Sequence, residues 1–270
     1  MRYHGQLALI VAVLWFVVAL DGACMGRRKG WAVAAAAAVV ACWVACTAAR
    51  ADDDEIRTLL FSGRDLWRNG IFAYGGFVYA PGGFEDDGLL FKILLSGGLY
   101  RYRADDLGGD TVIGAEAVAQ FLPGWRIKRR GVEIKFFFGL DYERHRLWPD
   151  DPGNRLQGSD LGLRMALEFW TEPTPVSMVA GDLSLSTIAT NWSGRLAYGR
   201  RMLQDVLEDG LYFGPEVQYF GSDGYRHIRF GAHITQLKAE TYEWSAAAGF
   251  AHDSEGRSGP YVRLGMLSRR

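Results

Sequence analysis

Residues able to do covalent chemistry are few in this chain, and their spacing is poor. His252-Asp253-Ser254 is the one compact triplet that combines a base, an acid and a nucleophile. A hydrolase acting on lipid or glucan would need a Ser or Thr beside a His that an acid or amide holds in place. Adjacent residues at a strand end point in opposite directions, so these three cannot form a relay among themselves. His145, His227 and His233 lack metal-ligand spacing. Cys24, Cys42 and Cys46 all precede Ala51, which leaves residues 52–270 without a thiol, a disulfide or a cysteine-based metal site. Val39-Val40-Ala41-Cys42 loosely mimics a lipoprotein box, but apolar Trp43-Val44-Ala45 follows it. The expectation is a non-enzyme with no catalytic residue, no cofactor and no metal.

Two other sets carry physical chemistry of a different kind. The first is a group of charged and titratable residues that alternate with apolar ones: Glu133, Lys135, Asp141, Arg164, Glu168, Arg195, Glu216, Arg229, His233 and Glu243. Both signs occur on neighbouring segments. They read as a lumen lining, either a structural ladder of ion pairs or the wall of a pore or sugar-binding surface. A ring of one sign would have pointed to an ion-selective pore. The second set is aromatic: Trp67, Tyr100, Tyr102, Trp148 and Trp192. These could stack on glucan rings, or form the belt that aromatic residues make at a membrane interface. Trp148 is the strongest stacking candidate, because the reading places it in the longest outward loop.

Elements that could hold such sets begin after residue 51. Met25-Gly26-Arg27-Arg28-Lys29 is a positive n-region, Ala32 to Ala45 an apolar h-region, and Ala49-Arg50-Ala51 a small-x-small cleavage site. Acidic Asp52-Asp53-Asp54-Glu55 follows. That order predicts a signal peptide cleaved after Ala51. A second apolar run, Leu7 to Leu20, lies upstream and is read as an extension before a true start at Met25; a membrane anchor is the alternative. Residues 1–51 are thus one segment and 52–270 one domain.

Composition then narrows the class. Residues 1–51 hold five of the 30 basic and one of the 31 acidic residues, so 52–270 is about −5, a poor match to nucleic acid. Thirty of the 34 glycines fall after Ala51, and helices avoid glycine. Period-two alternation recurs instead, most clearly from Val132 to Tyr142. It predicts twelve strands: 58–66, 71–80, 88–102, 110–122, 131–144, 159–170, 176–188, 192–201, 209–220, 226–237, 241–252 and 258–268. Most are as long as a tilted strand must be to cross a bilayer. Pro81-Gly82-Gly83, Asp105-Asp106, Pro149 to Asn154, Pro173-Thr174-Pro175, Ser222-Asp223-Gly224 and Ser254-Glu255-Gly256 separate them. Pro215 falls inside a strand and predicts a bulge or a shorter strand. Odd-numbered connections should face outward and be longer. The fifth, about 145–158, is the longest; the eighth, 202–208, is an exception expected to hold one helical turn.

Alternation alone does not separate a soluble barrel from a membrane one. Strand length, aromatics bracketing the apolar stripes, and a polar face rich in Gly, Ala and Ser favour the membrane. The closing Leu267-Ser268-Arg269-Arg270 counts the other way, since many outer-membrane barrels end in an aromatic residue. The predicted fold is all-β: a single antiparallel up-and-down transmembrane β-barrel of about 12 strands, with a tight, mixed-charge interior.

Spaced glycine and aromatic positions add a resemblance. Gly70-Ile71-Phe72-Ala73-Tyr74-Gly75-Gly76-Phe77-Val78-Tyr79-Ala80 and Gly88-Leu89-Leu90-Phe91-Lys92-Ile93-Leu94-Leu95-Ser96-Gly97-Gly98 resemble the bacterial cellulose-biosynthesis BcsS family. So do Gly139-Leu140-Asp141-Tyr142-Glu143, with the Pro/Asp loop after it, and Gly214-Pro215-Glu216-Val217. The resemblance covers essentially all of 52–270. It implies an accessory outer-membrane protein of cellulose (exopolysaccharide) biosynthesis, export or anchoring, with membrane lipid, glucan and the cellulose-synthesis machinery as partners. It supplies no catalytic residues. The alternatives are a generic small-solute pore or structural barrel, and, behind it, a barrel-embedded hydrolase.

Overall fold

The computed structural model describes residues 56–270, apart from 105, 106, 205, 208, 209 and 240. The signal peptide expected over 1–51, its cysteines and the Asp105-Asp106 turn lie outside the described residues. Twelve strands follow one another: β1 Thr58–Trp67, β2 Gly70–Tyr79, β3 Gly88–Ala104, β4 Asp110–Arg129, β5 Val132–Trp148 and β6 Gly158–Thr174, then β7 Ser177–Ser186, β8 Trp192–Met202, β9 Leu211–Ser222, β10 Tyr225–Ala239, β11 Tyr242–Asp253 and β12 Ser258–Arg269. Each pairs antiparallel with its chain neighbours, and β12 pairs with β1 to close a transmembrane barrel.

Two prolines behave differently from expectation. The reading ends the fourth strand at 122, before Pro123, yet β4 continues to Arg129. Pairing with β5 lapses only between Phe121↔Leu140 and Gly124↔Phe137, and the register resumes unchanged. Pro215 likewise makes no bulge and does not shorten β9. Ala232↔Pro215 sits in an unbroken ladder with β10, while pairing with β8 skips from Ala197↔Glu216 to Arg200↔Phe213. Proline lacks an N–H, so it interrupts one ladder locally, and a long strand absorbs the loss. The register shifts that do occur fall between Thr171 and Thr174 in β6 and between Ile234 and Leu237 in β10, where Gln236 takes φ 63°.

Connection length does not divide the two ends as cleanly as expected. Residues 149–157 form the fifth connection, but 80–87 and 203–210, at the opposite end, are comparable. Within the latter, Leu207 N donates to Leu203 O, a hydrogen-bonded turn. Hereafter the loop end carries the odd connections and the terminal end carries both strand termini, Thr58 and Arg269.

Alternation separates the faces sharply: Phe136 and Phe138 are each 47% exposed, whereas Phe137 between them is 0%. Leu60, Phe77, Ile93, Phe121, Leu140 and Leu163 are successive register partners on the outward face. This stripe starts near the first residue of β1 and ends beside the last of β7, where Thr187 N bonds Leu163 O. The rows therefore climb the barrel, the stagger that tilted strands need to close.

Gly139 marks one of the close backbone approaches on this path. A Cβ there would meet Phe121 O at 2.1 Å and the Pro123 ring at 3.0 Å, beside the gap in the β4–β5 ladder. Gly139→Ala is expected to destabilise the barrel by about 1–3 kcal/mol through overpacking. The measurement is urea unfolding in micelles, and an unchanged midpoint would show that β4 yields freely.

Candidate functional site

The barrel interior gathers charged and hydrogen-bonding side chains, and they are arranged in tiers. At the terminal end the tier is apolar. Val78, Ala80, Leu90, Leu122 and Phe137 are buried together, with Phe61 and Phe84 packed against them. Met178, Ala180 and Tyr212 form a second cluster with Trp170. Phe84 belongs to the connection 80–87, which is clamped onto β4: the Arg126 guanidinium donates to the Asp86 and Gly83 carbonyls and lies 5.2 Å from the Phe84 ring centre.

Charged residues fill the middle tier. Three ion pairs each span two intervening strands: Lys92 of β3 with Glu168 of β6 at 2.5 Å, Arg229 of β10 with Asp65 of β1 at 2.6 Å, and Arg263 of β12 with Glu216 of β9. Such pairs reach over two neighbouring strands, a quarter of the twelve-stranded wall. Glu216 also accepts Arg195 Nη1 at 3.1 Å, and Arg195 Nε donates to Asp182 at 2.7 Å. Asp141, 0% exposed, accepts Arg164 Nε at 2.8 Å and Ser186 Oγ at 2.6 Å. Arg164 also reaches Glu143 at 3.0 Å and Ser184 Oγ at 2.8 Å. Nearer the terminal end, at the margin of the apolar tier, Glu133 pairs with Lys135 at 2.6 Å and Glu243 with Arg269 at 2.9 Å. His233 lies 3.0 Å from Tyr198 O and 2.8 Å from Thr235 Oγ1.

At the loop end the tier is aromatic and histidine-rich. The Trp67 and Phe220 rings sit 4.2 and 4.4 Å from that of His227. Tyr100 Oη lies 3.0 Å from His145 Nδ1. Tyr102 Oη donates to Asp151 at 2.6 Å and accepts Asn154 Nδ2 at 2.8 Å, which ties the fifth connection to β3.

All ten charged and titratable residues singled out above thus have partners on the interior side. Their partners Asp65, Lys92, Glu143, Asp182 and Arg263 escaped the sequence reading. Lys92 hides within the apolar run Leu89–Leu95, although it alternates correctly, and Phe137 hides within Phe136-Phe137-Phe138. The five aromatics do not form one surface. Trp67, Tyr100 and Tyr102 face inward and are engaged. Trp192 packs outward, edge-on to Tyr219 at 4.5 Å. Trp148 is not in the fifth connection as expected; it is the last residue of β5, on the outward face and exposed. Its place follows from β5 running four residues past the expected boundary at 144.

The compact triplet is also dispersed. His252 Nδ1 lies 2.8 Å from Ser258 Oγ, buried Asp253 accepts Arg257 Nε at 2.7 Å, and Ser254 Oγ accepts Arg226 N at 3.1 Å. Among the described residues no group of His, Cys, Asp or Glu has metal-binding geometry.

A family model described as cellulose biosynthesis protein BcsS matches residues 59–270. A comparison with curated proteins finds no match. Among solved structures, the translocator domain of autotransporter NalP from Neisseria meningitidis aligns with TM-score 0.47 and 13% identity, over 88% of this chain and 98% of that one. The KdgM porin in complex with disordered oligogalacturonate aligns with TM-score 0.45 and 12% identity, over 78% and 98%.

Two predictions follow the tiers. Arg164→Met strands two buried carboxylates, so a loss of about 3–5 kcal/mol is expected. The triple change Arg164→Met/Asp141→Leu/Glu143→Leu should recover most of it, and equal losses would place the cost elsewhere. At the terminal end, hydrogen bonds from the Arg129 side chain and the Lys128 N–H hold the exposed Asp87 carboxyl below its ordinary value. A depressed folded value means that this contact is present at neutral pH and is lost as pH falls through that value. Carboxyl NMR should give Asp87 a lower midpoint than aspartate in an unstructured peptide, and Arg129→Ala should remove the difference.

Proposed function

The chain belongs to the cellulose biosynthesis protein BcsS family, and from that premise we propose that it is an outer-membrane accessory barrel that anchors cellulose production rather than conducting the glucan. The observation that carries this reading is the trio of ion pairs that brace the interior over intervening strands. A glucan chain threading the barrel would have to separate Lys92 from Glu168, Asp65 from Arg229 and Glu216 from Arg263. Arg229 and Glu216 are buried, so breaking their pairs leaves uncompensated charge at several kcal/mol each; the partly accessible Lys92–Glu168 pair costs less. It would also have to push through Leu90, Leu122 and Phe137, all fully buried. The inward aromatics that could serve as a sugar track are already held by His227, His145 and Asp151.

An anchor has different requirements. It needs an apolar outward face, a rigid interior and a rim that meets its partners, namely the synthesis machinery and the glucan. Trp148 and Trp192 are the aromatics left at that rim for stacking or for the interfacial belt. Export through the segment Met25–Ala51 and cleavage after Ala51 would bring the barrel to the outer membrane.

The small-solute pore is kept as the second reading by one observation: the Asp182 and Glu168 side chains retain 40% and 30% of their accessible surface inside the barrel. Recording in planar bilayers separates the two. The anchor predicts no steady conductance from folded protein at low concentration; stable unitary steps would overturn it in favour of the pore. Deleting the gene should lower extracellular cellulose and Congo red binding. Unchanged yields would remove the protein from cellulose production altogether.

A further inference from the structure

The connection from β2 to β3 is longer than a turn requires. At the terminal end β4–β5, β6–β7 and β10–β11 are joined by two residues each, 130–131, 175–176 and 240–241, whereas 80–87 takes eight. Hairpin loops usually need about 2–5 residues, and longer ones tend to carry a role of their own. Here the surplus folds back onto the barrel. Phe84 packs on the inside, against the buried cluster of Val78, Leu90, Leu122 and Phe137.

Two clasps hold this strap, and both belong to β4. The inner one is Arg126, 1% exposed. Its Nε donates to Asp86 O at 2.9 Å, its Nη2 donates to Gly83 O at 3.0 Å and to Asp86 O, and its guanidinium lies 5.2 Å from the Phe84 ring centre. Among the described residues no carboxylate forms an ion pair with Arg126, and its Nη1 has no hydrogen-bond partner. A buried guanidinium met only by main-chain carbonyls and a ring face keeps an uncompensated charge, so the closed strap leaves its own latch under-satisfied. The outer clasp sits at the rim. Asp87 accepts the Lys128 N–H at 2.8 Å and Arg129 Nη1 at 2.6 Å, and Lys128 Nζ lies 3.2 Å from Glu85, whose side chain is 81% exposed. Exposed pairs of this kind hold weakly and are screened by salt.

The held segment has a hinge on each side. Gly82 and Gly83 precede Phe84, and Gly88 follows Asp87. Gly83 takes φ 74°, and its N–H bonds Ala80 O at 3.0 Å to close a turn. Gly82 and Gly88 stand in open space with no left-handed φ, so the closed form itself does not demand glycine at either. Their rotational freedom serves movement instead. The ladders of β2 and β3 end at Tyr79 and Gly88, outside the strap, so its release breaks no strand pairing.

We propose that 80–87 is a hinged strap that closes over the apolar tier at the terminal end and swings away from β4 as a unit while the twelve-stranded wall stays closed. The terminal end faces the periplasm in barrels whose termini lie there. The strap therefore controls access from the periplasmic side to an apolar niche that has a guanidinium at its edge. This holds whether or not the barrel serves as an anchor for cellulose production.

The test uses the full barrel in detergent micelles with one introduced thiol, since residues 52–270 contain no cysteine. Val78→Cys places a near-isosteric reporter beneath the strap, and Ala247→Cys places one in the separate buried cluster of β11 and β12. The readout is the rate of modification by a sulfonated methanethiosulfonate, a charged reagent that reaches a thiol only through water. Phe84→Ala should raise the rate at Val78→Cys by about tenfold or more, as the lost burial of a phenyl ring implies, and should leave Ala247→Cys unchanged. Gly82→Ala/Gly88→Ala stiffens both hinges without touching the closed contacts and should slow the reaction at Val78→Cys several-fold. That variant decides the matter should the Phe84 change abolish the heat-modifiable migration of the folded barrel. Equal rates at Val78→Cys with and without Phe84, or with and without the two hinge glycines, would overturn the proposal. A rise at Ala247→Cys as large as that at Val78→Cys would mean that the whole barrel had loosened, and would overturn it as well.

Discussion

Closure of the backbone ladder is the constraint on which everything else here rests. In hydrocarbon an unpaired N–H or C=O costs several kcal/mol, so a sheet that enters a bilayer cannot keep an edge. The seam between β1 and β12, paired from Leu59↔Arg269 to Trp67↔Tyr261, removes the edge. Once the sheet is closed, period two leaves only two environments. One face meets lipid and takes Phe136, Phe138, Leu140 and their kind. The other meets a narrow interior and must satisfy whatever polar groups it holds.

That interior is where the barrel departs from a simple pipe. Its middle tier is filled by long side chains of opposite sign, and its terminal-end tier by leucines and an aromatic. Packing and charge thus serve the same end, since each crossing pair ties together strands that share no backbone hydrogen bonds. The single-sign outward face is the complement of this arrangement. Carboxylates are drawn inward to arginine and lysine, while arginines of β3 and β5 also occupy outward positions.

Much of this was legible in the amino-acid order, for a physical reason. Strand formation in a membrane barrel is a local affair of alternation and turn chemistry, and both are written in short windows. The twelve strands and nearly all of their bounds follow from it. Long-range facts were not legible. Which charges meet over intervening strands depends on the stagger between strands, a sum of eleven turn lengths and two register shifts. Lys92 and Glu168 are 76 residues apart and belong to strands that never pair. Asp65 and Arg229 are further apart still. Pro123 and Pro215 misled for the opposite reason: taken alone a proline breaks a strand, but a strand held on both sides loses only one ladder contact. The cellulose link came from spaced glycines and aromatics and not from a chemical motif, which is why it says more about family than about mechanism.

The crossing pairs also bear on how such a barrel is assembled. Lys92–Glu168 lies within the first half of the sheet, and Glu216–Arg263 within the second, so each can form while the sheet is still an open ribbon. Asp65–Arg229 is different, because within three strands β1 and β10 meet only through the seam. A ribbon one strand short of closure would hold that aspartate and that arginine apart in a non-aqueous setting. The final zipping of β12 onto β1 therefore joins two charges at the moment it joins two edges. This makes the last step of insertion all-or-none and leaves partly closed forms little population to leak or aggregate from.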